Sequence, residues 1–391
     1  MNSPFPQDAD QATLIARVHM PSLGAVLALA TPEALYDLSS IAPTSADLLA
    51  LENPAARIAE ACARLPKLAD MQTVLANSSL TAFDFVQPDP GKPHLLAPCD
   101  LQPIKAAGVT FVASMLERVI EEQARGDASK AVAVREKVTA AIGDNLRAIV
   151  PGSDKAMQVK AVLMELGMWS QYLEVGIGKD AEVFTKSQAM SAVGYGTQIG
   201  IHPTSQWNNP EPEVVLAVSP QGKVQGVALG NDVNLRDVEG RSALLLGKAK
   251  DNNASCAIGP FIRLFDAHFS IDDVRQCEIA LSVKGQDGFV MEGSSSMSQI
   301  SRDLLDLVAQ TRNANHQYPD GFMLFCGTMF APTKDRFGAG QGFTHALGDS
   351  VTVSSPRLGS LTNTVNTCDK ITPWTYGSRA LMRDLAKRGL L

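Results

Sequence analysis

From Val183 onward the apolar residues come in short runs, at 214–218, 226–229, 278–283, 322–325 and 350–353, separated by Gly, Asn and Pro. Such runs are too short to carry an apolar helix stripe over several turns. Strands of about four to eight residues bounded by turn formers fit them. Repeated punctuation of this kind predicts a mostly β catalytic domain, a rolled sheet or barrel-like fold.

Upstream the pattern is helical. Val112, Met115, Leu116, Val119 and Ile120 fall at i, i+3, i+4, i+7 and i+8, with Glu117, Glu121 and Glu122 off that face. Residues 128–168 are rich in Ala, Lys, Glu, Val and Leu, broken at Val150-Pro151-Gly152-Ser153, where Ser153 or Asp154 can cap a new helix. They predict a helical insertion at about 125–170. Before it, apolar runs at 25–30 and 74–76 and a helical stretch at 53–65 lead to the loop Gln87-Pro88-Asp89-Pro90-Gly91-Lys92-Pro93, the best domain boundary. The expectation is a mixed α+β chain. Residues 1–95 form a smaller N-terminal α+β domain, and residues 96–391 form the catalytic domain.

The chain has 391 residues, a net charge of −7 and no dense Lys/Arg run, which argues against nucleic acid as a partner. No apolar run approaches the roughly 20 residues of a membrane span, and Met1-Asn2-Ser3-Pro4-Phe5 lacks the basic-then-apolar pattern of a secretory signal, so a cytoplasmic protein is expected. Six scattered cysteines without a CxxC pair read as mostly buried, reduced thiols.

The chemistry-bearing residues are ordered along the second half. Glu211-Pro212-Glu213 places two carboxylates at i and i+2 at the mouth of an apolar strand, on one face. Two like charges side by side are either solvated or shared by a hard divalent cation. Asp232, after the next apolar run, offers a third oxygen ligand, and the lysines of Gly247-Lys248-Ala249-Lys250-Asp251 can reach a bound anion or act as a base. Phe322-Met323-Leu324-Phe325-Cys326-Gly327-Thr328 runs an apolar strand into a turn whose amide and hydroxyl can hold a carboxylate.

Together these motifs resemble the fumarylacetoacetate hydrolase superfamily from about Gly108 to the C-terminus. The family's Glu-x-Glu pair matches Glu211 and Glu213, and its Asn-Asp-x-x-x-Arg-Asp motif matches Asn231, Asp232, Arg236 and Asp237. Its catalytic lysine corresponds to Lys250, and its closing motifs to Gly327-Thr328, Gly348-Asp349-Ser350-Val351 and Gly359-Ser360-Leu361-Thr362-Asn363-Thr364-Val365. One position departs: in Gly108-Val109-Thr110-Phe111-Val112-Ala113-Ser114-Met115-Leu116-Glu117, the acid Glu117 is kept, but Ser114 stands where the hydrolases carry a water-activating histidine. None of the six histidines sits in an equivalent motif, although His202 lies close to the carboxylate pair in sequence.

The resemblance implies a metal-dependent enzyme acting on a small 2-keto acid. The serine and the long N-terminal region are similar to the family's sugar-acid branch, which dehydrates 2-keto-3-deoxypentonates to 2-oxoglutarate semialdehyde. On that resemblance Mg²⁺, with Mn²⁺ or Ca²⁺ as alternatives, binds Glu211, Glu213 and Asp232. Lys250 is the base and Glu117 the acid; Thr328 and Gly327 hold the substrate carboxylate; Ser114, Arg118 and Lys186 contact the remainder; and the chain forms a homodimer or homotetramer. Two alternatives stay open: a hydrolase cleaving a carbon–carbon bond of an acylpyruvate-type 1,3-diketo acid, and a non-catalytic protein that keeps the carboxylates for a structural ion.

Overall fold

The structure, a computed structural model, describes residues 3–78, 87–111, 115, 119–120, 122–123, 149–165, 169–330 and 332–391. The short runs of the second half are strands, as their punctuation predicts. One large sheet runs, neighbour to neighbour, Lys67–Asp70, Ala34–Asp37, Gly24–Ala30, Leu14–Met20, Cys256–Leu264, Val224–Asp232, Pro212–Val218, Phe322–Phe325, Ile104–Gly108 and Glu182–Ser187. Leu14–Met20 therefore joins the N-terminal hairpins directly to the C-terminal strands, with Leu14 opposite both Ala30 and Arg263. A second sheet of five strands runs Val290–Ser296, Glu278–Lys284, Ser350–Ser355, Gly359–Thr367 and Gln198–Ile201.

The central strands are covered on both faces, which is why they read as continuous apolar runs and not as alternation. Val214, Leu216 and Val218 pack toward Leu281, Val283, Val351, Val353 and Leu361 of the second sheet. Val215 and Ala217, on the opposite face, pack with Met323, Phe325, Ile104 and the N-terminal residues Leu27 and Leu48. Each such Val, Leu, Ile or Phe contributes about 1.5–3 kcal/mol of burial.

Among the described residues, the helical expectations are met with shifted ends. Residues 53–65 hold the helix Pro54–Ala61, with Pro54 in its first turn where a missing amide costs nothing, followed by a tighter turn at Cys62–Arg64. The apolar run at 74–76 belongs to the helix Met71–Ser78. Ser153 starts the helix Asp154–Glu165, its hydroxyl accepting from the Ala156 amide at 3.2 Å. Met115, Val119 and Ile120 of the predicted 112–120 stripe are helical and buried with Leu163, Leu173 and Ile177. Ser114, Glu117, Arg118 and positions 124–148 of the insertion lie outside the described residues. All six cysteines are free thiols, and Cys62 alone of them is exposed. Among the described residues no helix is long and apolar enough to cross a membrane.

Two of the closing motifs do structural work. Asp349 is fully buried and takes a two-pronged ion pair from Arg336 (2.5 and 2.9 Å), which also holds Asp287 at 2.9 Å. Asn363 donates to the carbonyls of Gly194 and Thr197 at 2.9 and 3.1 Å, fixing the loop that precedes Gln198–Ile201. Substituting Arg336→Met strands the Asp349 carboxylate in the core. The expected loss is about 3–5 kcal/mol of folding free energy in denaturant unfolding, and a loss below about 1 kcal/mol would show that the pair is not what holds this corner.

Candidate active site

The site is built at one end of a hairpin. Pro212–Val218 and Val224–Asp232 pair antiparallel with Pro212 opposite Asn231, so the residues flanking that pair, Glu211 and Asp232, meet at its open end. The Asp232 amide donates to the Glu211 carbonyl at 3.0 Å, and the Glu211 amide donates to the Asn231 side chain at 3.1 Å. Strand alternation turns Glu213 to the side of Glu211. Ligand oxygens of Glu211, Glu213 and Asp232 lie within 4.8 Å of one another, and each of the three residues is only 1% exposed.

Two lysines enter the same space. Lys250, last residue of the helix Leu246–Lys250, donates to Glu211 and lies 3.2 Å from Asp232 Oδ2. Lys186, fully buried on Glu182–Ser187, lies 3.1 Å from Asp232 Oδ1, donates to the Lys250 carbonyl and lies 3.3 Å from the Ser255 hydroxyl. Asp232 is thus bracketed, one lysine on each oxygen. The Lys-Asp-Asn-Asn-Ala-Ser loop sets this geometry: the Ser255 hydroxyl closes back on the Lys250 carbonyl at 2.7 Å and accepts from the Asn252 amide at 3.0 Å.

Glu213 is held from the other side. The Gly327 amide donates to it at 2.7 Å and the Thr328 hydroxyl at 3.2 Å. The turn needs glycine, because φ at Gly327 is +102° and a Cβ there would sit 1.9 Å from the Thr110 hydroxyl. Gly327 and Thr328 thus orient a protein carboxylate, and Thr328 also lines the cavity. Burial, followed by the charges of Asp232 and Glu211, pushes the Glu213 carboxyl well above the usual carboxylate range, while Lys250 and the Gly327 amide pull it back. Among the described residues, three buried acids face two amines here. Hard oxygen donors gathered this closely fit a divalent cation.

Arg236 and Asp237 do not join this cluster. Arg236 lies over the Trp207 ring at 5.0 Å and donates to the Pro332 carbonyl, while Asp237 accepts from the Ser205 hydroxyl and the Gln206 amide, each at 2.8 Å. His202 stays in its own loop, its ring nitrogen 2.8 Å from the Thr204 hydroxyl. The cavity beside the triad is lined by Glu211, Glu213, Asp232, Lys250 and Thr328, but also by Glu182 and Glu239, which sequence reasoning passed over. Glu239 closes the short helix that begins at Arg236, and only its distance from the Asp232 motif could have singled it out.

Comparison with known proteins bears on the fold and the family of the domain. Residues 178–366 match the family described as fumarylacetoacetate (FAA) hydrolase C-terminal. The chain is 28% identical over 203 residues to a Haloferax volcanii protein described as "Probable 2-keto-3-deoxyxylonate dehydratase", covering 52% of this chain and 66% of that one. It is 28% identical over 191 residues to the 2-dehydro-3-deoxy-D-arabinonate dehydratase of Saccharolobus solfataricus, covering 49% and 60%. The matched stretches thus fall short of two thirds of either relative. Among solved structures, a 2-keto-3-deoxy-D-arabinonate dehydratase complexed with magnesium and 2,5-dioxopentanoate superimposes with a TM-score of 0.56 at 18% identity, covering 90% of this chain and 99% of that one, a likeness of fold. Residues 178–366 of the chain are thus a fumarylacetoacetate hydrolase C-terminal domain.

Proposed function

We propose that the protein is a metal-dependent dehydratase of a 2-keto-3-deoxy sugar acid, converting 2-keto-3-deoxy-D-pentonate to 2-oxoglutarate semialdehyde and water. The observation that carries the reading is one cavity uniting three buried carboxylates with the amine of Lys250. The two dehydratase relatives support it, as does the neighbour whose ligand, 2,5-dioxopentanoate, is the same semialdehyde.

Glu211, Glu213 and Asp232 would hold a divalent ion, Mg²⁺ in this reading. Bound there, the ion supplies Lewis-acid polarisation of the substrate's C2 ketone, which acidifies the C3 protons. Lys250, as the free amine, removes one of them. Glu117 protonates the departing C4 hydroxyl, so the C3–H and C4–O bonds break and water leaves. The resulting C3=C4 enone shifts a proton from C5 to C3, and the C4=C5 enol that forms tautomerises to the C5 aldehyde. Lys186 fixes Asp232 from the side opposite Lys250, and the Gly327–Thr328 turn sets the angle of Glu213. Ser114 and Arg118 contact the hydroxyl-bearing end. The chain works in the cytoplasm as a homodimer or homotetramer.

Product analysis separates this reading from carbon–carbon hydrolysis. When the purified protein is given 2-keto-3-deoxy-D-pentonate and, separately, an acylpyruvate, NMR should show the semialdehyde from the first and no cleaved acid pair from the second. A cleaved acid pair without semialdehyde would establish the hydrolase.

A further inference from the structure

A second cavity, of about 590 Å³, shares the loop that carries Lys250. Asn253 and Ala254 of that loop line it, and among the described residues it has no lining residue in common with the triad cavity. Its wall mixes apolar side chains such as Leu95 and Val193 with four rings, those of His19, His94, Trp374 and Tyr376. The rings are held in place. His19 and His94 stack with centroids 4.7 Å apart, the Trp374 indole donates to the Tyr376 carbonyl at 2.9 Å, and the Tyr376 hydroxyl donates to Asp384 at 2.7 Å.

The wall contains no acid, and its one permanent cation, Arg17, is already engaged. The Arg17 guanidinium donates to the carbonyls of Ala97 and Cys99 and lies 3.7 Å from the Asp100 carboxylate. An anionic 2-oxo acid therefore finds no open counter-charge here. Each imidazole gives one nitrogen to a backbone carbonyl, His19 Nε2 to Pro90 at 3.1 Å and His94 Nδ1 to Lys92 at 3.3 Å. A carbonyl only accepts, so those nitrogens carry the hydrogen, and the other nitrogen of each neutral ring is an acceptor. Burial pulls the His94 imidazole below its usual range and keeps that ring neutral at pH 7.

We infer that this cavity binds an uncharged aromatic molecule bearing a hydroxyl or N–H donor, and that its occupancy is felt at the metal triad through the shared loop. The Asn253 side chain donates to the Cys368 and Thr372 carbonyls at 3.2 and 3.3 Å, tying the loop to the segment that carries Trp374 and Tyr376. Ala254 is held at φ +59°, strained for a residue with a Cβ, and the next hydroxyl, Ser255, closes on the Lys250 carbonyl at 2.7 Å. A ring seated against Trp374 and Tyr376 thus bears on the loop that aims Lys250 at Glu211 and Asp232. The coupling, unlike the ring site itself, rests on the reading that the triad binds a divalent ion.

Three probes with one ring system test it at pH 7: 2-naphthol, 2-methoxynaphthalene, which lacks the donor, and 2-naphthoate, which is an anion. Their binding to the full chain is followed by probe fluorescence. The wild type is expected to bind them in that order, tightest first. Trp374→Ala should weaken 2-naphthol about tenfold, the scale of one aromatic contact. His94→Phe should weaken it about fivefold, the scale of one neutral hydrogen bond, and leave 2-methoxynaphthalene within about twofold. Saturating 2-naphthol should shift the Kd for Mg²⁺, measured by calorimetry, about fivefold, and saturating Mg²⁺ should shift the Kd for 2-naphthol by the same factor. Binding of 2-naphthoate as tight as that of 2-naphthol, or 2-naphthol affinity unmoved by both substitutions, would overturn the ring site, and Mg²⁺ affinity indifferent to the probe would overturn the coupling. Probe binding in the expected order by a protein that takes up no Mg²⁺ would instead fault the metal reading, with the ring site upheld.

Discussion

Lys250→Met is expected to lower kcat by about 10²–10⁴-fold, the usual contribution of a positioned base, while binding the divalent ion more tightly than the wild type. The two effects have one origin. In the metal-free protein the Lys250 ammonium beside Glu211 and Asp232 supplies positive charge to the triad, and as the free amine the same group accepts the proton, so its removal takes away the base and leaves more negative charge for the ion to neutralise. A lysine that merely cross-linked the hairpin would give the opposite pattern, weaker metal binding and lower stability with the metal present. Exchange of C3 protons separates the cases further. With 2-oxopentanoate, which has no hydroxyl to expel, the wild type should exchange C3–H for solvent deuterium and the variant should not. Exchange at the wild-type rate in the variant would remove Lys250 from the proton transfer.

Of the substitutions in the triad, Asp232→Ala should do the greatest damage to the folded state. Its two oxygens are each beside a buried ammonium, so the substitution leaves Lys186 without its carboxylate in a place water does not reach. A loss of about 3–5 kcal/mol in metal-free unfolding is expected, together with the disappearance of any rise in Tm on adding Mg²⁺. Glu213→Gln makes the contrast. Burial and two neighbouring acids disfavour the charged form of Glu213, so its replacement by a neutral isostere should leave metal-free stability unchanged or higher. That variant should still lose the Mg²⁺-dependent rise in Tm. Equal destabilisation by both substitutions would mean that the triad is a structural salt-bridge network rather than a site strained toward a cation.

How much of this was legible beforehand differs by element. The strands around Glu211 and Asp232 announced themselves because burial on both faces writes an uninterrupted apolar run, and the hairpin between them follows from the turn residues separating the runs. The convergence of Glu211, Glu213 and Asp232 was legible too, since period-two alternation and adjacent strand ends bring these side chains together. The sharing of one sheet by residues 14–70 and the C-terminal strands was not, because a pairing such as Leu14 with Arg263 spans most of the chain and leaves no local mark. Lys186 could be singled out only by its place at the start of the β-rich region, and its contact with Asp232 comes with a second one, to the Ser255 hydroxyl. Glu182 gave no signal and Glu239 only its distance from the Asp232 motif: each reads as an ordinary surface acid until the sheet and the short helix bring it to the cavity.

The claim that this cavity performs a metal-dependent elimination is tested most directly by incubating the purified protein with 2-keto-3-deoxy-D-pentonate, in EDTA and then with Mg²⁺ restored, while a coupled aldehyde dehydrogenase reports 2-oxoglutarate semialdehyde. Aldehyde formed with Mg²⁺, abolished by EDTA and absent in Asp232→Ala is the predicted result; no aldehyde under either condition, or formation indifferent to the metal, would contradict it.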